Sequence, residues 1–127
     1  MNKKTIILPD MPMGGAYAHA TEACGLIFTA GQIPMDSITG QLVTGDFRKE
    51  VHQVFINLKR VLAEAGTDLT KVVKGTVFLT DMNNFATMNE VWAEYFPTED
   101  VRPARSSVAV TALPNGARIE IELIAGQ

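Results

Sequence analysis

The sequence predicts an α+β domain, a mixed sheet of about six strands with two helices on one face. Three observations carry this reading. Val51, Val54, Phe55, Leu58, Val61, Leu62 and Ala65 recur at the spacing of one helix face. The run from Lys71 to Thr80 is rich in Val, Thr and Phe, the composition of a strand. The chain then closes on two stretches in which apolar and polar side chains alternate.

Taken in order, Thr5 to Leu8 is a short β-prone run, and Met11 to Gly15 is a loop. Tyr17 to Thr21 and Leu26 to Ala30 pair as a hairpin across Glu22-Ala23-Cys24-Gly25. Gly31 to Asp46 is a long loop punctuated by Pro34, Gly40 and Gly45. The first helix follows, with Asp46 as its N-cap and Gly66 just past its end. After the strand over 71–80, a second helix runs from about Asn84 to Phe96, capped by Asp81 or Asn83. Its apolar stripe is Phe85, Met88, Trp92, Tyr95 and Phe96. Asn89 falls on that stripe, either as a buried amide bonded to backbone or as a group that faces a ligand.

The last two strands alternate Ser106, Val108, Val110 and Ala112 against Arg105, Ser107, Ala109 and Thr111, then Ala117, Ile119, Ile121 and Leu123 against Arg118, Glu120, Glu122 and Ile124. Leu113-Pro114-Asn115-Gly116 is a turn signal between them. Antiparallel pairing puts the two apolar sets on one face and Arg105, Ser107, Glu120 and Glu122 on the other. Registers two residues apart leave open whether Ser107 faces Glu120 or Glu122. The order is therefore β-β-β-α-β-α-β-β. Two helices cover one face of such a sheet, yet Val72, Phe78, Ile27 and Ile124 fall opposite Val73, Val77 and Leu79. A sheet that is apolar on both faces needs a second cover, and another copy of the chain is the simplest source.

Composition bounds the function classes. A chain of 127 residues is one domain, spanning 1–127, and 46% apolar with 20% charged residues is an ordinary globular balance. Net charge is −3, from 14 acidic and 11 basic residues, and no basic block stands out, which disfavours a nucleic-acid partner. The single cysteine, Cys24, cannot form an internal disulfide and is expected as a small buried apolar residue. His19, His52 and Cys24 lack metal-ligand spacing, so no metal is expected. Pro9 and Asp10 end the apolar start too early for a signal peptide, and no later run approaches a membrane span. A cytoplasmic protein without membrane contact is the expectation.

The chemistry-bearing stretch is Arg102-Pro103-Ala104-Arg105-Ser106-Ser107, followed by Ile119-Glu120-Ile121-Glu122. A guanidinium is a planar fork that binds both oxygens of a carboxylate. A nearby carboxylate can orient or activate water. The pair points to a site that holds a small organic acid. Ser107 has no histidine partner in a recognisable triad motif, so a hydrogen-bonding or packing role is expected for it. Gly14-Gly15 lacks the Lys-Ser/Thr of a phosphate loop.

Gly31-Gln32-Ile33-Pro34, Gly66, Val77-Phe78-Leu79-Thr80-Asp81-Met82, Phe85, Asn89, Pro103-Ala104-Arg105-Ser106, Leu113-Pro114 and Ile119-Glu120-Ile121-Glu122 together resemble the Rid/YjgF family of reactive-intermediate deaminases. The likeness runs from about Tyr17 to Ala125. It implies a chorismate-mutase-like fold and a homotrimer whose sheets form a central barrel, with sites between subunits. It also implies hydrolysis of 2-imino and enamine acids to 2-oxo acids and ammonia, without a cofactor. Under the resemblance Arg105 binds the substrate carboxylate and Glu120 positions the water. Tyr17, Ala30, Gly31, Asn89 and Ser107 line the pocket. Many members carry Cys in place of Ser107 and Ser in place of Ala30, and Gly15-Ala16-Tyr17-Ala18-His19 stands where Gly-Pro-Tyr-Ser-Gln is usual. A non-catalytic 2-oxo acid sensor on the same scaffold is the alternative reading.

Overall fold

The computed structural model describes residues 2–127, so residue 1 of the expected domain lies outside the described residues. The elements follow the predicted order: β1 Lys4–Ile6, β2 Ala20–Ala23, β3 Leu26–Thr29, α1 Phe47–Glu64, β4 Val72–Leu79, α2 Phe85–Tyr95, β5 Ala104–Ala109 and β6 Ile119–Gly126. The six strands form one mixed sheet in the spatial order β1-β2-β3-β6-β4-β5. Only β4 and β5 are parallel, joined through α2.

Local chemistry sets the helix ends. The Asp46 carboxylate accepts the Lys49 N–H at 3.3 Å and caps α1. At the other end Gly66 turns left-handed (φ +83°), and the Gly66 and Thr67 N–H groups bond back to Ala63 and Leu62 at 3.0 and 2.9 Å. Asp81, rather than Asn83, caps the short 3-10 turn that leads into α2, accepting the Asn83 N–H at 2.9 Å. Phe55 of α1 stacks on Tyr95 at 4.1 Å and meets Trp92 and Phe96 edge-on at 5.7 and 6.0 Å. These aromatic contacts lock the two helices over one face of the sheet, adding to the area they bury.

On that face Ile27, Val77, Leu79, Ile119, Ile121, Leu123 and Ala125 are buried. The other face carries Phe28, Phe78, Val108 and Ile124 among Lys74, Thr76, Ser106 and Glu122. Phe28 and Val108 remain 39% and 43% exposed, so the sheet is apolar on both sides. The membership differs from expectation, because Val72 and Ile27 lie on the helix side. A bulge between Val72 and Lys74 inserts Val73 into β4, and the straight alternation read along this strand flips there.

Four other expectations are corrected. β5 and β6 do not form a hairpin, since β4 lies between them and the connection crosses over it. Arg105 sits beside Gly75 and Ser107 beside Val77, on the helix side, whereas Glu120 is opposite Phe78 and Glu122 opposite Thr76, on the open side. Arg105 and Ser107 therefore do not share a face with Glu120 and Glu122. Tyr17 precedes β2 in a loop, because the hairpin pairs Ala20 with Thr29 and turns at Cys24-Gly25. Both turn residues have positive φ (53° and 77°), the backbone of a tight two-residue hairpin turn. That placement leaves Cys24 exposed rather than buried.

Candidate active site

The Arg105 half is built on an aromatic platform. Trp92 of α2 lies directly on Gly75 of β4, where a Cβ would come within 2.5 Å of its ring. The Arg105 guanidinium carbon stands 4.9 Å from the Trp92 ring centroid and 5.6 Å from that of Phe85. Burial draws its pKa below the ordinary guanidinium value. Arg48, Arg60 and Arg118 are engaged in ion pairs, and Arg102 donates to the Phe96 and Pro97 carbonyls. Among the described residues no carboxylate pairs with Arg105, which leaves its fork free. Asn89, Trp92, Arg102, Pro103 and Arg105 line a cleft of about 360 Å³. Asn89 is exposed at the cleft rather than buried on the stripe. Ser107 lies two residues along the same face, its hydroxyl oxygen buried without a hydrogen-bond partner.

The Glu120 half lies on the other side of the sheet. Tyr17, His19, Gly31, Gln32, Asn115 and Glu120 are among the residues lining a cavity of about 270 Å³. The carboxylate rests on Gly31, where a Cβ would lie 2.5 Å from Oε2. Gln32 exchanges backbone hydrogen bonds with Ile121, at 2.9 and 3.1 Å, and so fixes this approach. Asn57 of α1 donates to the Ile33 and Met35 carbonyls at 3.2 and 2.9 Å and holds the following loop. Burial, then the charge of Glu122, raises the Glu120 pKa above the usual carboxylate range. Tyr17 stands on the rim, 51% exposed, and its hydroxyl accepts the Gly14 N–H at 3.2 Å. Ala30 precedes Gly31 and donates its N–H to the His19 carbonyl at 2.9 Å. Ahead of β6, Arg118 forms a two-pronged ion pair with the buried Glu50 of α1, at 3.0 and 2.5 Å, and covers Phe47.

The structure thus brings Tyr17, Ala30, Gly31 and Glu120 together, and separately Asn89, Arg105 and Ser107. It does not bring the two groups to one face of a chain. Sequence reasoning missed the roles of Trp92 and Phe85, which it read as core only. The available signal was Gly75, since a glycine inside a strand marks a close approach.

The histidines and the cysteine are dispersed. His19 lies in the second cavity, His52 bonds the Tyr95 hydroxyl at 2.8 Å, and Cys24 is at a hairpin tip. No described helix is long and apolar enough to cross a membrane.

Comparison with known proteins gives a consistent result. A family model described as Endoribonuclease L-PSP matches residues 10–127. A RutC family protein of Pyrococcus horikoshii is 50% identical over 124 residues, 97% of each chain. The 2-iminobutanoate/2-iminopropanoate deaminase of Rattus norvegicus is 48% identical over 113 residues, 89% of this chain and 81% of that protein. The crystal structure of a conserved Rid-family protein of unknown function from Yersinia pestis superposes with a TM-score of 0.93 at 42% identity, covering 99% of this chain and 100% of that one. With its six-stranded sheet, two helices and paired clefts, this chain belongs to the Rid family.

Proposed function

We propose that the protein is a homotrimer that hydrolyses 2-imino acids, of the kind for which its mammalian relatives are named, to 2-oxo acids and ammonia. The observation that carries this reading is the pair Arg105 and Glu120. Each is held in an open cleft with its functional atoms free, yet the two leave opposite faces of the sheet. A second copy is the natural way to set one cleft against the other. The exposed apolar groups Phe28 and Val108 give that copy a surface to cover.

Arg105 clamps the substrate carboxylate, with its planar fork oriented by Trp92 and Phe85. Glu120 of the adjoining copy takes a proton from water as the oxygen adds to the imine carbon. The resulting carbinolamine carries one new C–O bond. Glu120 returns the proton to nitrogen, then relays the carbinol hydroxyl proton to nitrogen as the C=O bond forms and the C–N bond breaks, so that ammonia leaves with the 2-oxo acid. A raised pKa suits Glu120 both to take and to return a proton. Tyr17, Ala30 and Gly31 enclose the substrate from the Glu120 side, Asn89 and Ser107 from the Arg105 side. Ser107 supplies a hydrogen bond, not a nucleophile.

The test is 2-oxo acid release from freshly generated 2-iminobutanoate and 2-iminopropanoate. Glu120→Gln is expected to lower turnover by about 10²–10⁴ while still binding pyruvate. Arg105→Lys is expected to weaken pyruvate binding about ten- to a hundredfold. Pyruvate binding by a wild-type protein that releases no 2-oxo acid would make it a sensor rather than an enzyme.

A further inference from the structure

We propose that His19 is a positioning residue for this site: in one neutral tautomer it latches the strap of residues 8–15 that leads to Tyr17 and holds its hydroxyl, and its protonation opens the latch. The inference rests on the proposed pocket role of Tyr17.

His19 is 1% exposed, and both ring nitrogens are engaged. Nδ1 accepts the Leu8 N–H at 3.0 Å, while Nε2 points to the Pro12 carbonyl at 3.4 Å. A backbone N–H can only donate and a carbonyl can only accept. The ring is therefore the neutral tautomer with its proton on Nε2. It ties down both ends of the segment Leu8–Pro12, and that segment runs on to Gly14, whose N–H holds the Tyr17 hydroxyl at 3.2 Å. The carbonyl of the same His19 accepts the Ala30 N–H at 2.9 Å, beside Gly31 and the Glu120 carboxylate. One buried residue thus joins the Tyr17 strap, through its ring, to the Glu120 cavity, through its backbone carbonyl.

A second proton would sit on Nδ1 and face the Leu8 N–H, donor against donor. The imidazolium and the latched strap exclude each other. Tyr17 and Glu120 are the titratable groups that share the cavity with His19. Asp10, within the strap, is held by Arg60 of α1 in an ion pair of 2.9 Å. That ion pair tethers the strap to α1 but does not replace the bond to Leu8.

The experiment follows the Leu8 amide by hydrogen exchange, expressed as a protection factor, and the His19 ring nitrogens by NMR, as the pH is lowered until the ring protonates. In the wild type, Leu8 protection is expected to fall at least tenfold in step with ring protonation. His19→Gln carries one acceptor and one donor and has no titratable proton, so Leu8 protection should no longer follow pH. His19→Ala should lose that protection at every pH and bind pyruvate about tenfold more weakly than His19→Gln. A Leu8 amide that stays protected while the ring protonates would overturn the inference, as would full protection in His19→Ala. The Leu8 readout needs no substrate, so it stands even if imine hydrolysis fails. Unchanged pyruvate binding in His19→Ala, with Arg105 and Glu120 behaving as proposed, would sink this inference alone.

Discussion

Mixing Arg105→Ala subunits with Glu120→Gln subunits tests how the two clefts are combined. Arg105 shares a face with Gly75 and Leu123, while Glu120 shares the opposite face with Phe78. In the closed ring we propose, a working site takes Arg105 from one copy and Glu120 from the next. At equal mixing each position holds either variant half the time. A site with both residues intact needs one particular variant on each side, so about a quarter of the sites recover. The assay is 2-oxo acid release after joint unfolding and refolding, compared with each variant refolded alone. A second mixture, of wild type with the Arg105→Ala/Glu120→Gln double variant, should also give about a quarter of wild-type activity per site. If both residues served one site from the same chain, the first mixture would recover nothing and the second about half. That pattern would refute the shared site.

Three further outcomes follow from particular contacts. Gly75→Ala places a methyl 2.5 Å from Trp92 and 3.2 Å from Leu123, so it should cost about 1–3 kcal/mol in denaturant unfolding and weaken pyruvate binding by displacing the Arg105 platform. Gly31→Ala pushes on the Glu120 carboxylate itself; turnover should fall about a hundredfold, with pyruvate binding far less affected in calorimetry. The folded-state pKa of Glu120 is raised, so the folded chain holds this proton more tightly than the unfolded chain, and stability declines as pH climbs from the ordinary glutamate value through the raised one. Glu120→Gln removes that decline, and thermal melts at neutral pH should show it no less stable than wild type.

Much of the architecture was legible because local signals agreed. Val51 to Leu62 repeats at helical spacing, and Asp46 and Gly66 mark the ends of that helix by their own chemistry. The order of strands along the chain could be read, but their order across the sheet could not. Nothing in Ser106 or Glu120 says that β4 will insert between β5 and β6, since that depends on α2 returning β5 parallel to β4. The same non-local fact hid which faces Arg105 and Glu120 take. The bulge at Val73 was equally silent, as a single inserted residue leaves no compositional mark. Arg105 and Glu120 were recognisable as candidate chemistry because a guanidinium fork suits a carboxylate, a nearby acid can orient water, and both fall in motifs that resemble the family's. His19 and Trp92 were not, because their importance lies in Leu8, Pro12 and Gly75, which are distant in sequence.

The tight turn between β2 and β3 has a practical consequence. It displays Cys24, the sole thiol in the sequence, at an exposed hairpin tip. Leu26 pairs with Gly126, at the far end of β6 from Glu120, about 20 Å away at the usual rise of a strand. A fluorophore or spin label attached there occupies one defined position per chain without entering either cleft. Distances between labels would count the copies in the assembly and give its symmetry from the wild-type sequence, with no engineered cysteine. Labelling one of two mixed variants would also measure how many hybrids form, and so calibrate the expected recovery against the true composition of each ring.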